Sequence, residues 1–113
     1  MKFKTFLRGK LLLIGLILTG IAWAGDITWI DVRTPEEFSQ KHVPEAVNIP
    51  YDQIGANISA LGLGKDQVIY VYCHSGRRAG MAKKTLDALG YTHVVNVGGV
   101  DDAMAKAAKS GQK

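Results

Sequence analysis

Apolar positions along the chain come in short dense bursts, and the segments between them carry helical spacing or turn residues. Ile27 to Val32 is a brief apolar run that predicts a strand. Thr34-Pro35-Glu36-Glu37 follows with several helix-start signals at once: a hydroxyl for the cap, a proline suited to the first helical position and a glutamate to complete a capping box. That helix is expected to run to about Lys41 and to end at His42-Val43-Pro44, because the residue before a proline avoids helical geometry. Ala46 to Ile49, closed by Pro50, predicts a second short strand. Tyr51 to Leu61 predicts a weak helix stopped by Gly62-Leu63-Gly64.

Val68 to Tyr72 is the clearest strand, almost entirely β-branched or aromatic. It is apolar at every position, so both of its faces should be covered, as in a parallel sheet. Ala79 to Leu89 predicts an amphipathic helix with Gly90 as its stop. Val94 to Val97 predicts a fourth strand, Gly98-Gly99 a turn, and Asp101 to Lys109 an alanine-rich last helix. Gly111 to Lys113 should fray.

Strands alternating with helices predict an α/β fold with a small parallel sheet of about four strands flanked by helices. Ligand sites in such sheets lie beyond the carboxyl ends of the strands. Three loops should meet there, after Val32, Tyr72 and Val97, bringing Arg33, Cys73 and Gly98-Gly99 to one edge.

The first residues follow a different pattern. Met1 to Lys10 holds Lys2, Lys4, Arg8 and Lys10 with no acid, Leu11 to Trp23 is apolar apart from Thr19, and Ala22-Trp23-Ala24 offers small residues before a cut. This is the three-part arrangement of a secretory signal peptide, and its apolar part is shorter than the roughly 20 residues of a spanning helix. The expectation is a leader over 1–24, a single domain over 25–113, a periplasmic location and no stable membrane insertion once the leader is removed; an uncleaved N-terminal anchor is the alternative. The formal charge of +4 arises from 14 basic and 10 acidic residues. Four of the basic residues leave with the leader, so the remaining domain is neutral by side-chain count. Nothing in that balance points to nucleic acid.

Cys73 is the only cysteine. It ends the clearest strand and is followed by His74-Ser75-Gly76-Arg77-Arg78 and then a helix. Loop amides and the unpaired N–H groups of a first helical turn can point at such a sulfur and favour thiolate, the nucleophilic form. A buried structural thiol is the plain alternative, but the position at a strand end before a polar, glycine-containing loop favours reactivity. A phosphatase cradle would need an arginine six residues after the cysteine. Ala79 stands there, and the arginines fall one and two positions early.

The sequence resembles the rhodanese family over nearly the whole region after the leader. Ile30-Asp31-Val32-Arg33 and His42 to Pro50 match its first two signatures. Cys73 to Arg78 resembles its six-residue active-site loop, Cys-x-x-Gly-x-Arg, and Gly90-Tyr91 with Asn96 to Val100 matches its C-terminal pattern. Four matches in order make a strong signal. The resemblance implies a thiosulfate sulfurtransferase, most similar to periplasmic members of the family. Cys73 would take sulfur from a small anionic donor, carry it as a persulfide and pass it to a thiol or cyanide acceptor. His74, Ser75, Gly76, Arg77 and Arg78 would form the loop that binds donor and persulfide. Arg78 matches the family's loop arginine, and Arg77 should face substrate or solvent. No metal or other cofactor is implied, and a monomer is expected. Rivals on the same fold are a non-catalytic binding module and a thiol-dependent arsenate-reducing or phosphatase-like enzyme; the redox version would need an external resolving thiol.

Asp31 and Arg33 could support the loop from the neighbouring strand, although a structural ion pair is the simpler reading. His42 is expected to bond backbone at a turn, His93 to lie at the surface, and Trp29 and Phe38 to be core. Two departures from the family pattern carry expectations. Glu45 replaces a usual glycine, so it is strained if its turn needs positive φ. Ala103 replaces an aromatic, which should loosen the wall of the site. The usual extra strand and helix before Asp31 have no room, hence four strands rather than five.

Overall fold

The computed structural model describes residues 26–110. The predicted leader and the fraying end, 111–113, lie outside the described residues. The elements in chain order are β1 (Ile27–Asp31), α1 (Pro35–Gln40), β2 (Val47–Asn48), α2 (Ile54–Asn57) with a 3-10 turn (Ile58–Leu61), β3 (Val68–Cys73), α3 (Arg77–Ala88), β4 (His93–Gly99) and α4 (Val100–Lys109). The four strands form one sheet in the order β2-β1-β3-β4, with every pair parallel. No helix among the described residues is long and apolar enough to cross a membrane.

Side chains alternate across a sheet with period two, and this splits the core into two layers. Ile30, Val32, Ile69, Val71 and Cys73 pack with Ile54, Ile58, Ala79, Ala82 and Leu86 on the α2/α3 face. Trp29 and Tyr72 pack with Val43, Val100, Ala103 and Ala107 on the α1/α4 face. The central strand β3 is therefore covered on both sides, as its unbroken apolar run predicts. Each fully buried large aliphatic side chain contributes about 1.5–3 kcal/mol of transfer free energy; Ile30, Ile69 and Leu86 are all 0% exposed.

Several boundaries differ from the sequence-based expectation. The Thr34 capping box forms: its hydroxyl accepts the Glu37 N–H at 3.2 Å, and Glu37 Oε1 accepts the Thr34 N–H at 3.1 Å. The segment 51–61 breaks into one α turn and one 3-10 turn, in keeping with its weak helical pattern. The helix expected from Ala79 begins at Arg77, because Gly76 takes left-handed geometry and caps it, and arginine is a good helix former. The turn expected at Gly98-Gly99 is instead the end of β4. Between the pairs Val71–Asn96 and Cys73–Gly99, one residue of β3 (Tyr72) opposes two of β4 (Val97 and Gly98), which is a β-bulge.

Of the two departures from the family pattern, the question posed at Glu45 is answered by its backbone, and the expectation for Ala103 is corrected. Among the described residues, no residue other than glycine has positive φ, so Glu45 sits without backbone strain. Ala103 is fully buried among Trp29, Val43 and Tyr72. It lies on the face of the sheet opposite Cys73, so it does not form a wall beside the sulfur.

Candidate active site

Cys73 closes β3 at the carboxyl edge of the sheet, with its side chain on the α2/α3 face and 1% of its surface exposed. The chain leaves it through His74 and Ser75, both exposed, and reverses at Gly76, whose φ of 98° is the left-handed region that favours glycine. This reversal aims the start of α3 back at the sulfur. The Gly76 N–H donates to Cys73 Sγ at 2.9 Å, and the Ala79 N–H donates at 3.4 Å. Both donors lie among the amides that a helix start leaves without an intrahelical acceptor, so the sulfur sits at the positive end of the α3 dipole. A sulfur that accepts two aimed main-chain donors is held best when it carries negative charge.

The loop can approach the sheet this closely because Gly99 faces it. A Cβ at Gly99 would collide with the His74 carbonyl oxygen. The Gly99 N–H is taken by Asp102 Oδ2 at 3.0 Å, which also caps the start of α4.

The two arginines part company. Arg77 is exposed at the first position of α3. Arg78 turns to α1 and makes a two-pronged bond with Glu37, Nη1 to Oε1 at 2.9 Å and Nη2 to Oε2 at 3.1 Å. The Arg78 hydrogen bond, aided by Thr34, holds the Glu37 carboxyl down to about 2 against its ordinary 4.5. The same bond raises Arg78, and the nearby Cys73 sulfur adds to that rise. Glu37 thus serves twice, as the capping residue legible in the sequence and as the anchor of Arg78. Its second role had no local signal, since the partners are 41 residues apart.

Asp31 and Arg33 are both buried, at 0% and 4% exposure. They bond to each other rather than to the cradle. Arg33 Nε and Nη2 donate to the Asp31 carboxylate at 2.7–3.1 Å, and its main-chain N–H adds a bond at 2.9 Å. Arg33 Nη2 also donates to the Lys41 carbonyl, and its guanidinium lies over the Tyr72 ring. The hydrogen bond to Asp31 raises Arg33 above its ordinary value. Burial pushes the Tyr72 phenol up as well, and its oxygen accepts the Val43 N–H at 3.0 Å. Asp31 pairs in register with Tyr72 and so lies on the face opposite Cys73.

His42, His93 and Trp29 lie where the sequence predicts, whereas Phe38, expected in the core, only packs against its edge. His42 Nδ1 lies 2.7 Å from the Phe38 carbonyl oxygen and its ring stacks on Phe38, which is only partly buried. His93 is exposed, and Trp29 is core. Asn96, absent from the sequence-based candidates, reaches from β4 to the loop: its Nδ2 donates to the Gly76 carbonyl at 2.9 Å.

Comparison with known proteins places this geometry. Residues 18–106 match the family model described as a rhodanese-like domain. A curated relative, thiosulfate sulfurtransferase PspE of Escherichia coli, is 47% identical over 79 residues, covering 69% of this chain and 76% of its own. The putative sulfur carrier protein YrkF of Bacillus subtilis is 38% identical over 68 residues, covering 60% of this chain but only 36% of its own length. A solved structure described as a rhodanese with anions from E. coli superposes with a TM-score of 0.66 at 44% identity, covering 68% of this chain and 91% of that one. The fold, the family match and the extent of the closely similar relatives agree: the chain belongs to the rhodanese family and is a catalytic sulfurtransferase of that family, not a binding module that has lost its chemistry.

Proposed function

We propose that the protein is a thiosulfate sulfurtransferase that works through a persulfide on Cys73. The observation that carries the reading is the pair of main-chain donors on Cys73 Sγ, from Gly76 and Ala79. The Cys73 thiolate attacks the outer sulfur of thiosulfate. The sulfur–sulfur bond of the donor breaks, and sulfite leaves with the bonding pair. The outer sulfur stays on Cys73 as a persulfide, which at neutral pH is an anion. The amides at the start of α3 stabilise that anion as an oxyanion hole stabilises developing charge. A thiophilic acceptor, cyanide or a thiol, then attacks the outer sulfur and restores the thiolate, so two half-reactions share one site.

Within this mechanism the exposed Arg77 and the exposed His74 face the incoming dianion, and Ser75 and Gly76 complete the loop around it. Arg78 acts at one remove, through its bond to Glu37 and its charge near the sulfur. Asp31 and Arg33 support the site by holding the end of α1. The similar relatives named as a thiosulfate sulfurtransferase and as a rhodanese with anions support an anionic donor. The basic and apolar pattern of 1–24 supports export to the periplasm, where 25–113 would act as a monomer.

Intact-mass measurement tests the reading. Incubation with thiosulfate should add one sulfur atom to the wild type and none to Cys73→Ala, and cyanide should remove it. Absence of that increment at any thiosulfate concentration overturns the donor assignment.

A further inference from the structure

Asn96 sits in β4 immediately before its bulge, outside the loop that holds the sulfur. Its side-chain amide is used at both ends. Oδ1 accepts the Gly98 N–H at 2.9 Å, and Nδ2 donates to the Gly76 carbonyl at 2.9 Å. The first bond closes an Asx turn over the bulge, where Gly98 has φ 95°. The second crosses to the residue whose N–H lies on Cys73 Sγ. The two left-handed glycines are in close contact, for a Cβ on Gly76 would lie 3.4 Å from Gly98 Cα.

Gly76 has no side chain to hold its own backbone, and glycine is the residue with the widest choice of φ and ψ. Its conformation is therefore set from outside. Its carbonyl accepts two donors, the Gly80 N–H within α3 at 2.9 Å and the Asn96 amide from the sheet. Only the second ties Gly76 to the strand that neighbours Cys73, and so restrains the φ and ψ that connect its carbonyl to its N–H. A rotation at Gly76 would leave its carbonyl roughly satisfied within α3 while turning its N–H off the sulfur.

We propose that Asn96 is a positioning residue for sulfur transfer: by clamping the Gly76 carbonyl to the β4 bulge, it keeps the Gly76 N–H aimed at Cys73 Sγ and so sets how well the cradle holds the sulfur anion. The inference rests on the sulfur-transfer reading for its catalytic meaning, but the clamp itself acts on the free thiolate too. Asn96 bonds to Gly76 and Gly98 and not to Cys73 Sγ, so its loss should change the chemical step more than donor binding.

Two variants separate the two bonds. Asn96→Ala removes both. Asn96→Ser keeps a short acceptor for the Gly98 N–H, since serine closes the same kind of turn, but it cannot reach Gly76. Two readouts are taken on each, alkylation of Cys73 by iodoacetamide across pH and persulfide loading from thiosulfate. Both variants should alkylate about three- to tenfold more slowly at pH 7, with the profile displaced to higher pH, and should load sulfur about tenfold more slowly at saturating donor, as expected for one misaligned hydrogen bond to a charged group. The thiosulfate KM should stay within about twofold. Val95→Thr, on the same strand, should behave as wild type.

Alkylation needs no sulfur donor. A wild type that alkylates readily but never loads sulfur would sink the thiosulfate reading and leave the clamp measurable. Unchanged alkylation and loading in a folded Asn96→Ala or Asn96→Ser protein would overturn the clamp. So would a failure of both variants to fold, which would make Asn96 a folding residue instead.

Discussion

Two arginine–carboxylate pairs stand near the carboxyl edge of the sheet, each joined by two guanidinium nitrogens, and they do different work. Asp31 and Arg33 are two residues apart, almost wholly buried, and bonded to each other and to the end of α1. Glu37 and Arg78 are 41 residues apart, with side chains 30% and 25% exposed, and they join the start of α1 to the start of α3. Breaking a buried pair strands a charge in low dielectric, so the first pair should weigh on stability. A partly solvated pair adds little stability, because water screens it and compensates its loss. The second pair instead orients the helix whose amides face Cys73. Burial sets how much a pair matters to folding, while the elements it connects set how much it matters to chemistry.

The largest expected effect comes from breaking the first pair. Asp31→Asn leaves the Arg33 charge buried without its counterion and should cost about 3–5 kcal/mol. That is a large share of the roughly 5–15 kcal/mol available to a domain of this kind. Urea unfolding followed by tryptophan fluorescence reads it through Trp29; a change below about 1 kcal/mol would show that the pair is not the structural anchor its burial suggests.

Glu37→Gln sharpens the contrast from the other side. It keeps the shape but removes the charge, and should lower the sulfur-transfer rate roughly tenfold by letting the start of α3 drift. Its stability cost should be only about 1 kcal/mol after solvent screening. The acid side gives an independent check. The folded Glu37 carboxyl is held at about 2 against an ordinary 4.5, so its stabilisation is present above about 4.5 and is lost as pH falls toward 2. The wild-type melting temperature should therefore drop more steeply than that of Glu37→Gln across this interval. Parallel curves would mean that the pair carries no pH-dependent stability.

The smallest effect belongs to a third pair, which marks the exposed limit of the series. Lys41 and Asp101 meet at 2.7 Å with side chains 52% and 85% exposed. The Lys41 hydrogen bond lowers the Asp101 carboxyl, yet the pair is open to water and salt. Lys41→Met should leave both the melting temperature at 150 mM salt and the transfer rate unchanged. A clear loss in either would break the link between exposure and weight.

Much of the fold was legible because its determinants are local. The β-branched run at 68–72 predicts a doubly covered strand whatever lies beside it, and the Thr34 box needs only residues three apart. The position of Cys73 at a strand end, before a glycine-containing loop and a helix, was readable for the same reason. α3 starts two residues before the Ala79 that local spacing predicts, because the left-handed state of Gly76 depends on bonds from elsewhere. The bulge in β4 has no signature of its own, because two adjacent glycines suit a turn equally well and only pairing with β3 selects one geometry.

By itself the amino-acid order determined the alternation of strand and helix, the parallel sheet and the placement of the one cysteine at a strand end, because these depend on hydrogen bonds and apolar spacing within a few positions. The tertiary structure alone decided which arginine meets Glu37, why Gly99 must lack a side chain opposite His74, and that Asn96 reaches Gly76. Those contacts join residues 20 to 41 positions apart. Such partners meet only after the helices have packed on the sheet and fixed the distances between them, and no local pattern records that packing.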